Sequence, residues 1–227
     1  MQKSLLKAAS PAAVPRGCFA RTAAGALLHG LTTNFIFISE VEMLNVRHLS
    51  ITELEAGLDT IRQSPKDNGV LKMIVRRPSV DERETLSEAE LTLEEGLAGD
   101  TWKERFSRRT PDGSANIDAQ ITIMNARTVA LLAQREERWP LAGDQLFVDL
   151  ELSDENIPAG TRLAIGSAVV EVTAVPHTGC DKFAARYGTD ATKFVNSKEG
   201  KRLHLRGINT RVVQAGSIRV GDVVRKV

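Results

Sequence analysis

Cys180 lies among residue types that activate a thiol. His177 precedes it by three positions, and Lys182 and Arg186 follow it within six. A thiolate is both a sulfur nucleophile and a ligand for soft or high-valent metals, and neighbouring positive charge stabilises it. We therefore expect Cys180 to be the chemical centre, with His177 as its catalytic neighbour and with Lys182, Arg186 and a protonated His177 adding positive charge.

A short helix is predicted to present this cysteine. Phe183 and Tyr187 lie four residues apart, which places them on one helix face, and Gly188 follows as a residue suited to a left-handed helix cap. Cys180 then lies at the helix start. Unpaired backbone N–H groups and the positive end of the helix dipole stabilise a thiolate at that position.

Two other interpretations of Cys180 stay open at this point. A single cysteine in an intracellular protein is often a small buried hydrophobic residue. His177 and Cys180 could instead form half of a zinc site, with the other two ligands drawn from His48, His204 or carboxylates. For His177 itself, a hydrogen-bonded structural role is an equal alternative.

The composition limits the function classes. The 227 residues include 30 Lys plus Arg and 29 Asp plus Glu, for a formal net charge of +1, with 7 Phe, 2 Trp and 1 Tyr. Because a basic excess and abundant stacking side chains are both missing, nucleic-acid binding is disfavoured. Two cysteines cannot build an all-cysteine metal site or a disulfide scaffold. We expect a globular protein of a reducing compartment, the cytoplasm.

The first 42 residues differ from the rest of the chain. Residues 1–39 hold four basic residues and no acidic residue. Such a stretch, rich in Ala, Ser and Thr, is typical of an organelle transit peptide, which would make the protein mitochondrial. A second interpretation is a secretory signal with the apolar run at 23–38 as its core, but His29 and Asn34 interrupt that run and no small-residue cleavage site follows it. A third is that translation starts at Met43. The apolar run at 23–38 is shorter than a membrane span, so we predict an N-terminal extension at 1–42, one domain at 43–227 and no membrane span.

Short apolar alternations predict many strands after residue 69. Turns that contain glycine separate them, and Gly166 with Ser167 suits a type II′ hairpin turn. The predicted strands are Leu71–Val75, Gln120–Met124, Leu146–Leu152, Arg162–Ile165, Ala168–Val175, Arg211–Val213, Ser217–Val220 and Val223–Val227. One helix of about three turns is predicted from the N-cap Asn125 to Trp139, ended by Pro140.

This pattern indicates the fold class. Many short strands with few helices between them favour a mainly β, α+β protein built on a curled sheet or barrel, rather than a doubly wound α/β fold. The sequence contains no phosphate-binding loop, no dinucleotide-binding glycine motif and no nucleophile elbow. Nucleotide-binding and α/β-hydrolase functions therefore lack their usual motifs.

Several segments around Cys180 together resemble a known family. They are Gly96–Asp100, which forms a Gly-x-x-Gly-Asp turn, Ala159–Gly166 before the strand that leads to the cysteine, Pro176–Gly188, Leu205–Asn209 and Gly216–Asp222. In their order and spacing they resemble the MOSC domain, the module named for the C-terminus of molybdenum cofactor sulfurases. The resemblance spans about Val70 to Val227.

The resemblance implies a closed or partly closed β-barrel like the barrel domain of pyruvate kinase. It also implies that Cys180 either coordinates the molybdenum of a molybdopterin cofactor or carries a persulfide sulfur. Molybdopterin bears a phosphate and an anionic dithiolene, so cationic donors should converge near the thiolate.

Five cationic residues are candidates for binding this cofactor. Arg206 matches the family's Arg-Gly position and comes first as an anion clamp, and the others are Lys182, Arg186, Arg76 and Arg77. Arg76 and Arg77 are the weakest of these candidates, because paired arginines before a proline usually lie at the solvated end of a strand. Asp100 is expected to be structural, capping a turn between two strands.

The chain also departs from the larger members of this family. Its 227 residues leave no room for the pyridoxal-phosphate domain of full cofactor sulfurases, so no pyridoxal phosphate site is expected. Fewer than thirty residues separate Met43 from the first predicted strand. The additional N-terminal domain of the mitochondrial amidoxime-reducing relatives is therefore not expected in this stretch, and the chain resembles the standalone bacterial proteins.

Two functions follow from the resemblance. The first is a molybdenum-dependent reductase of N-hydroxylated compounds, with electrons from a separate reductase. The alternative is a non-catalytic carrier that receives sulfur or cofactor from a donor protein and delivers it to a partner metalloenzyme.

Overall fold

The structure, a computed structural model, describes residues 46–227. The prediction for the extension at 1–42 and for a start at Met43 lies outside the described residues. The helices are α1 Ile51–Ala56, α2 Leu58–Arg62, α3 Ala126–Ala133, α4 Asp181–Tyr187, α5 Thr189–Asn196 and α6 Lys198–Arg202. The strands are β1 Gly69–Arg76, β2 Glu84–Leu86, β3 Glu88–Thr92, β4 Gly96–Leu97, β5 Ile121–Asn125, β6 Leu146–Asp149, β7 Arg162–Ile165, β8 Ala168–Val172, β9 Ile208–Gln214, β10 Gly216–Arg219 and β11 Val223–Lys226.

Seven strands form a closed barrel. Their order is β11-β7-β8-β9-β5-β6-β1, and β1 closes the ring by pairing Gly69 with Val224 and Val70 with Val223 of β11. The β5–β6 pair is parallel and the other pairs of the ring are antiparallel. Strand β2 pairs with β1 outside the ring. The predicted mainly β, α+β barrel is confirmed.

A separate three-stranded sheet covers part of the barrel. It has the order β10-β3-β4, with Ile218 of β10 opposite Ala89 of β3. Leu91, Leu97 and Ile218 of this sheet belong to the same buried cluster as the barrel interior. The sheet therefore shares the hydrophobic core of the barrel.

Strands β1, β5 and β6 bury both of their faces. Ile123 and Leu146 point into the barrel cluster, whereas their neighbours Met124 and Phe147 join a second cluster with the helices. Because side chains of a strand alternate between its faces, each of these strands separates the two clusters. The second cluster fixes helix α4, through Phe183 and Tyr187, against the outside of the barrel.

The described chain differs from the predicted elements in several places, and β8, for example, ends at Val172 rather than at Val175. The helix after Asn125 ends at Ala133 because Gln134 takes a left-handed conformation with φ +61, and Pro140 lies inside a separate 3₁₀ segment, Glu136–Ala142. Strand β6 ends at Asp149 rather than at residue 152. Gly188 ends α4 with φ +96 but with ψ 161, which is an extended geometry and not the predicted left-handed cap.

None of the helices between residues 46 and 227 is long and apolar enough to cross a membrane.

Candidate functional site

Cys180 stands at the first turn of α4, as its N-cap residue, and its thiol is free and exposed. The exposure excludes the interpretation of Cys180 as a small buried hydrophobic residue. Asn196 of α5 fixes the preceding backbone, because its side chain accepts from the N–H of Gly179 (2.9 Å) and donates to the carbonyl of Gly179 (3.0 Å). The cysteine is therefore presented to solvent from a fixed loop.

Helix α4 also carries two of the predicted cations. Lys182 Nζ and Arg186 Nη2 each lie 3.3 Å from Oδ1 of Asp81, which belongs to the loop after β1. Arg186 Nη1 donates to the carbonyl of Leu141 (2.8 Å). Lys182 and Asp81 are mostly exposed, so their ion pair contributes little to stability. Arg186 is less exposed and is oriented by both partners.

The turn that precedes β6 orients three arginines. Its residues 141–144, which we call the arginine-binding turn, offer consecutive backbone carbonyls as acceptors. Those of Leu141, Ala142 and Gly143 accept from Arg186 (2.8 Å), Arg206 (2.9 Å) and Arg77 (3.0 Å), in that order. Gly143 has φ +88, a conformation that favours glycine. This turn brings cations from α4, from the end of β1 and from the loop before β9 to one place.

Arg76 and Arg77 have different surroundings although they are adjacent. Arg76 donates twice to Glu84 Oε2, at 2.9 and 2.6 Å, and stays partly exposed. Arg77 is buried and donates to both carboxylate oxygens of Asp100, at 2.7 and 2.6 Å. The expectation of a solvated strand end is therefore wrong for Arg77, because Asp100 neutralises it inside the protein.

Asp100 has the structural role that the sequence suggested. Its carboxylate accepts from the backbone N–H of Trp102, which caps the 3₁₀ segment Thr101–Glu104, and from the backbone N–H of Arg77. These bonds tie the end of β1 to the turn after β4.

Arg206 already binds side-chain and backbone groups of the protein. Its Nη1 donates to Oδ2 of Asp144 (2.6 Å), its Nη2 donates to Ala142, and its guanidinium carbon lies 4.9 Å from the centre of the Phe183 ring. Its side chain is 7% exposed, and only Nε is left without a partner among the described residues. One N–H of each Nη nitrogen is already used by Asp144 and Ala142, so the anion-clamp role predicted for Arg206 depends on its remaining N–H groups, of which Nε–H is buried and unpartnered among the described residues.

His177 lies beside the same carboxylate. Its Nδ1 is 3.5 Å from Oδ1 of Asp144, and its side chain is 16% exposed. Burial, followed by the positive charges of Arg206 and Arg77, lowers the pKa of His177 well below its usual value. His177 is therefore neutral near pH 7, and the expected contribution of a protonated His177 to the positive charge is wrong.

The sequence did not single out three charged residues of this site. Arg83 lies near Gly143, and its buried Nε has no hydrogen-bond partner in the described part of the chain. Burial, then the charges of Arg186 and Arg77, lower the pKa of Arg83. Partial desolvation, then Arg77, lowers the pKa of Arg105, whose side chain is exposed at the edge of this group. The third residue is Asp144.

A signal for Asp144 was present in the sequence. Leu-Ala-Gly-Asp occurs twice, at 97–100 and at 141–144, and the first copy was recognised as a family turn. In both copies the glycine has a positive φ and the aspartate binds a buried arginine. Arg83 and Arg105 lie in charge-rich loops, which give no comparable signal.

The zinc interpretation finds no support in the described structure. Between residues 46 and 227 no group of three His, Cys, Asp or Glu residues is placed to hold a metal ion. His204 is bound through Nε2 to Asp154 at 2.7 Å. An open groove of about 280 Å³ is lined by Arg62, Lys66, Arg202 and neighbouring residues, and it contains none of the predicted site residues.

Comparisons with known proteins place the chain in a family. A search of curated proteins finds no match. Among solved structures, YuaD from Bacillus subtilis is 16% identical with a TM-score of 0.49, over 69% of this chain and 93% of that chain. YiiM from Escherichia coli is 17% identical with a TM-score of 0.46, over 70% of this chain and 69% of that chain. The MOSC domain model matches residues 99–225, and this chain therefore belongs to the MOSC domain family.

Proposed function

We propose that this protein binds a molybdopterin cofactor through Cys180 and acts as a molybdenum-dependent reductase of N-hydroxylated compounds. The supporting observation is the convergence of guanidinium groups beside the helix that begins at Cys180. Arg83 Nη2 and Arg186 Nη1 lie 3.8 and 3.9 Å from the point where a Cβ at Gly143 would stand. The two groups are therefore at most about 8 Å apart, which is costly for like charges unless an anion lies between them.

The charge balance favours an anionic ligand. Five cations, Arg77, Arg83, Arg105, Lys182 and Arg186, face two carboxylates, Asp81 and Asp100. Planar guanidinium groups bind phosphate through paired hydrogen bonds, and Arg83 has a buried Nε with no acceptor among the described residues. The donor set fits the phosphate of molybdopterin, and the exposed Cys180 fits a soft metal ligand.

Each residue then has a separate task. Bound molybdenum would supply two-electron redox chemistry at the site. Cys180 would bind the metal through its thiolate, and Arg83, Arg105 and Arg186 would bind the phosphate. His177 stays neutral and provides one N–H and one lone pair. The exposure of Cys180 leaves this position open to a substrate and to a separate electron-donating reductase.

The exposed thiol also favours a second candidate, a sulfur carrier. In that case the Cys180 thiolate attacks the terminal sulfur of a persulfide on a donor protein. The sulfur–sulfur bond of the donor breaks, the donor leaves as a thiolate, and Cys180 retains the transferred sulfur as its own persulfide. A buried cysteine could not take part in this exchange, because the donor must reach its sulfur.

The cation group is tested by Arg83→Gln, with Arg219→Gln as the matched control. Arg219 is an exposed arginine paired with Glu88, and none of the predicted site residues contacts it. Loss of a hydrogen bond to a charged group costs about 1.5–3 kcal/mol, which is tenfold or more in affinity. We expect Arg83→Gln to lose most of its bound pterin per polypeptide, and Arg219→Gln to retain it. Equal pterin contents in the two variants would contradict the proposal.

The two functions are separated on the purified wild-type protein. Stoichiometric molybdenum together with turnover of an N-hydroxylated substrate, driven by an artificial electron donor, supports the reductase. A persulfide on Cys180 without metal, detected by the mass of the intact protein, supports the carrier.

A further inference from the structure

Asp144 joins the two polar residues that flank the cysteine helix. It is fully buried, and its Oδ2 accepts from Nη1 of Arg206 at 2.6 Å. Its Oδ1 lies 3.5 Å from Nδ1 of His177. Both of these facing atoms are buried, and neither has another hydrogen-bond partner among the described residues. A buried polar atom without a partner is costly, so a small approach of the two atoms satisfies both.

The charges around this pair determine which atom carries the proton. Burial, then the charge interactions with Arg206, Arg77 and His204, lower the pKa of His177 and keep its ring neutral near pH 7. Burial raises the pKa of Asp144 above its ordinary value, and Arg206, Arg77 and Thr122 oppose that rise. With Arg206 bound at 2.6 Å the carboxylate is ionised, and an ionised carboxylate can only accept. A neutral imidazole has one N–H, and the one that meets an acceptor is Nδ1–H.

We propose that Asp144 is a positioning residue that holds neutral His177 as its Nδ1–H tautomer and so leaves Nε2 of His177 as the hydrogen-bond acceptor. His177 precedes Cys180 by only three residues, so this lone pair belongs to the loop that carries the thiol. The Nε2 lone pair can accept a hydrogen bond from an N–H or S–H group of a ligand that binds at this loop. This use of Nε2 rests on the proposed function, whereas the tautomer rests on Asp144 and Arg206 alone.

The test is the imidazole nitrogen spectrum of the full chain, labelled with ¹⁵N and free of metal, near pH 7. Long-range proton–nitrogen correlations show which ring nitrogen of each histidine carries the proton. The signals of His177 are assigned by their loss in His177→Gln. We expect His177 to have a protonated Nδ1 and an unprotonated Nε2. A protonated Nε2, or a ring protonated at both nitrogens, would overturn the proposal.

His204 provides an internal control in the same spectrum. It binds Asp154 through Nε2 and not through Nδ1, so its neutral form should show the opposite tautomer. Asp144→Asn should then raise the share of the Nε2–H form of His177, and Asp154→Asn should change His204 alone. If Asp144→Asn folds and His177 keeps its tautomer, Asp144 does not position it.

This test is independent of the cofactor. If Asp144→Asn fails to fold, the wild-type spectrum still decides the tautomer. Slow hydrogen exchange of the Nδ1–H then serves as the second measurement, because a proton held by a buried carboxylate is protected, and rapid exchange would contradict the proposal. A failure of molybdopterin binding would leave these results unchanged, so the two proposals can fail separately.

Discussion

Arg83 and Arg186 approach each other near Gly143 although both are cationic. At the largest separation that this geometry allows, about 8 Å, and an effective dielectric constant of about 20, their repulsion is about 2 kcal/mol. Asp81 offsets part of it, but Asp81 is exposed and its pair with Arg186 is long at 3.3 Å. The protein therefore maintains a positive potential beside helix α4, and this repulsion is relieved when an anion binds.

At the residue scale, His177 gives a pH-dependent prediction. Its pKa in the folded protein lies below the unfolded value of about 6.5. As the pH falls, the unfolded state binds the proton first, so the stabilising contribution is complete above about pH 6.5 and declines below it. The decline is at most about 1.4 kcal/mol per pH unit, until the folded pKa is reached.

Urea unfolding at about pH 7, 6 and 5 measures this effect. The free energy of unfolding of the wild type should fall more steeply with acid than that of His177→Gln. Identical slopes for the wild type and His177→Gln would show that His177 binds its proton equally well in the folded and unfolded states, and would contradict the lowered pKa.

At the element scale, the arginine-binding turn does more for the site than any one helix. Its carbonyls orient Arg186, Arg206 and Arg77, which come from three distant parts of the chain. The sequence located Cys180, Lys182 and Arg186, because helical spacing keeps them close together. The second Leu-Ala-Gly-Asp, at 141–144, could have indicated the turn. Its binding of three arginines could not be predicted, because backbone carbonyls have no signature in the residue types.

Gly143→Ala tests this turn. The φ of +88 costs a residue with a Cβ about 1–2 kcal/mol, and the added atom lies in contact distance of Arg83 and Arg186. Gly160→Ala is the matched control, because Gly160 has φ +91 with nothing within 4 Å of the added Cβ. We expect both variants to lower the melting temperature similarly. Only Gly143→Ala should reduce pterin content, and an equal reduction in both would contradict a specific role of the turn.

Sequence patterns predict the presence of strands and helices better than their exact boundaries and bulges. Strand β1 has a bulge between Leu71 and Met73, so that Leu71 and Ile74 point into the barrel while Met73 and Val75 face the helices. The alternation of apolar residues predicted the strand, but it did not predict the shift in pairing register at the bulge. The helix after Asn125 was predicted to extend to Trp139 but ends at Ala133. The spacing of apolar residues does not indicate that Gln134 takes a left-handed backbone conformation.

At the scale of the whole molecule, barrel closure explains how distant residues meet. The pairing of β1 with β11 joins the first and the last strand of the described chain. Strand β8 leads to Cys180, and β9 follows Arg206. The strands, their approximate limits and the barrel were predictable because periodicity and glycine turns are local signals. The pairing of Asp144 with Arg206 was not, because it joins residues 62 positions apart.

A truncation tests whether this part of the chain suffices. Both hydrophobic clusters and the closed barrel are built by residues after 46, so a chain that begins at Met43 should fold and bind the same ligand. Thermal unfolding and pterin content of the truncated and full chains measure this. A melting temperature lower by more than about 5 °C, which is roughly 1 kcal/mol or more at this length, would contradict it.

The most direct test of the central claim is the molybdenum content per polypeptide of the wild type and of Cys180→Ser, measured by elemental analysis. Serine keeps nearly the same volume and replaces a soft thiolate with a hard, neutral hydroxyl. Because Cys180 is exposed, the change should alter the free energy of unfolding by less than about 0.5 kcal/mol. The account predicts stoichiometric molybdenum in the wild type and none in the folded serine variant. Wild-type molybdenum in Cys180→Ser would contradict it.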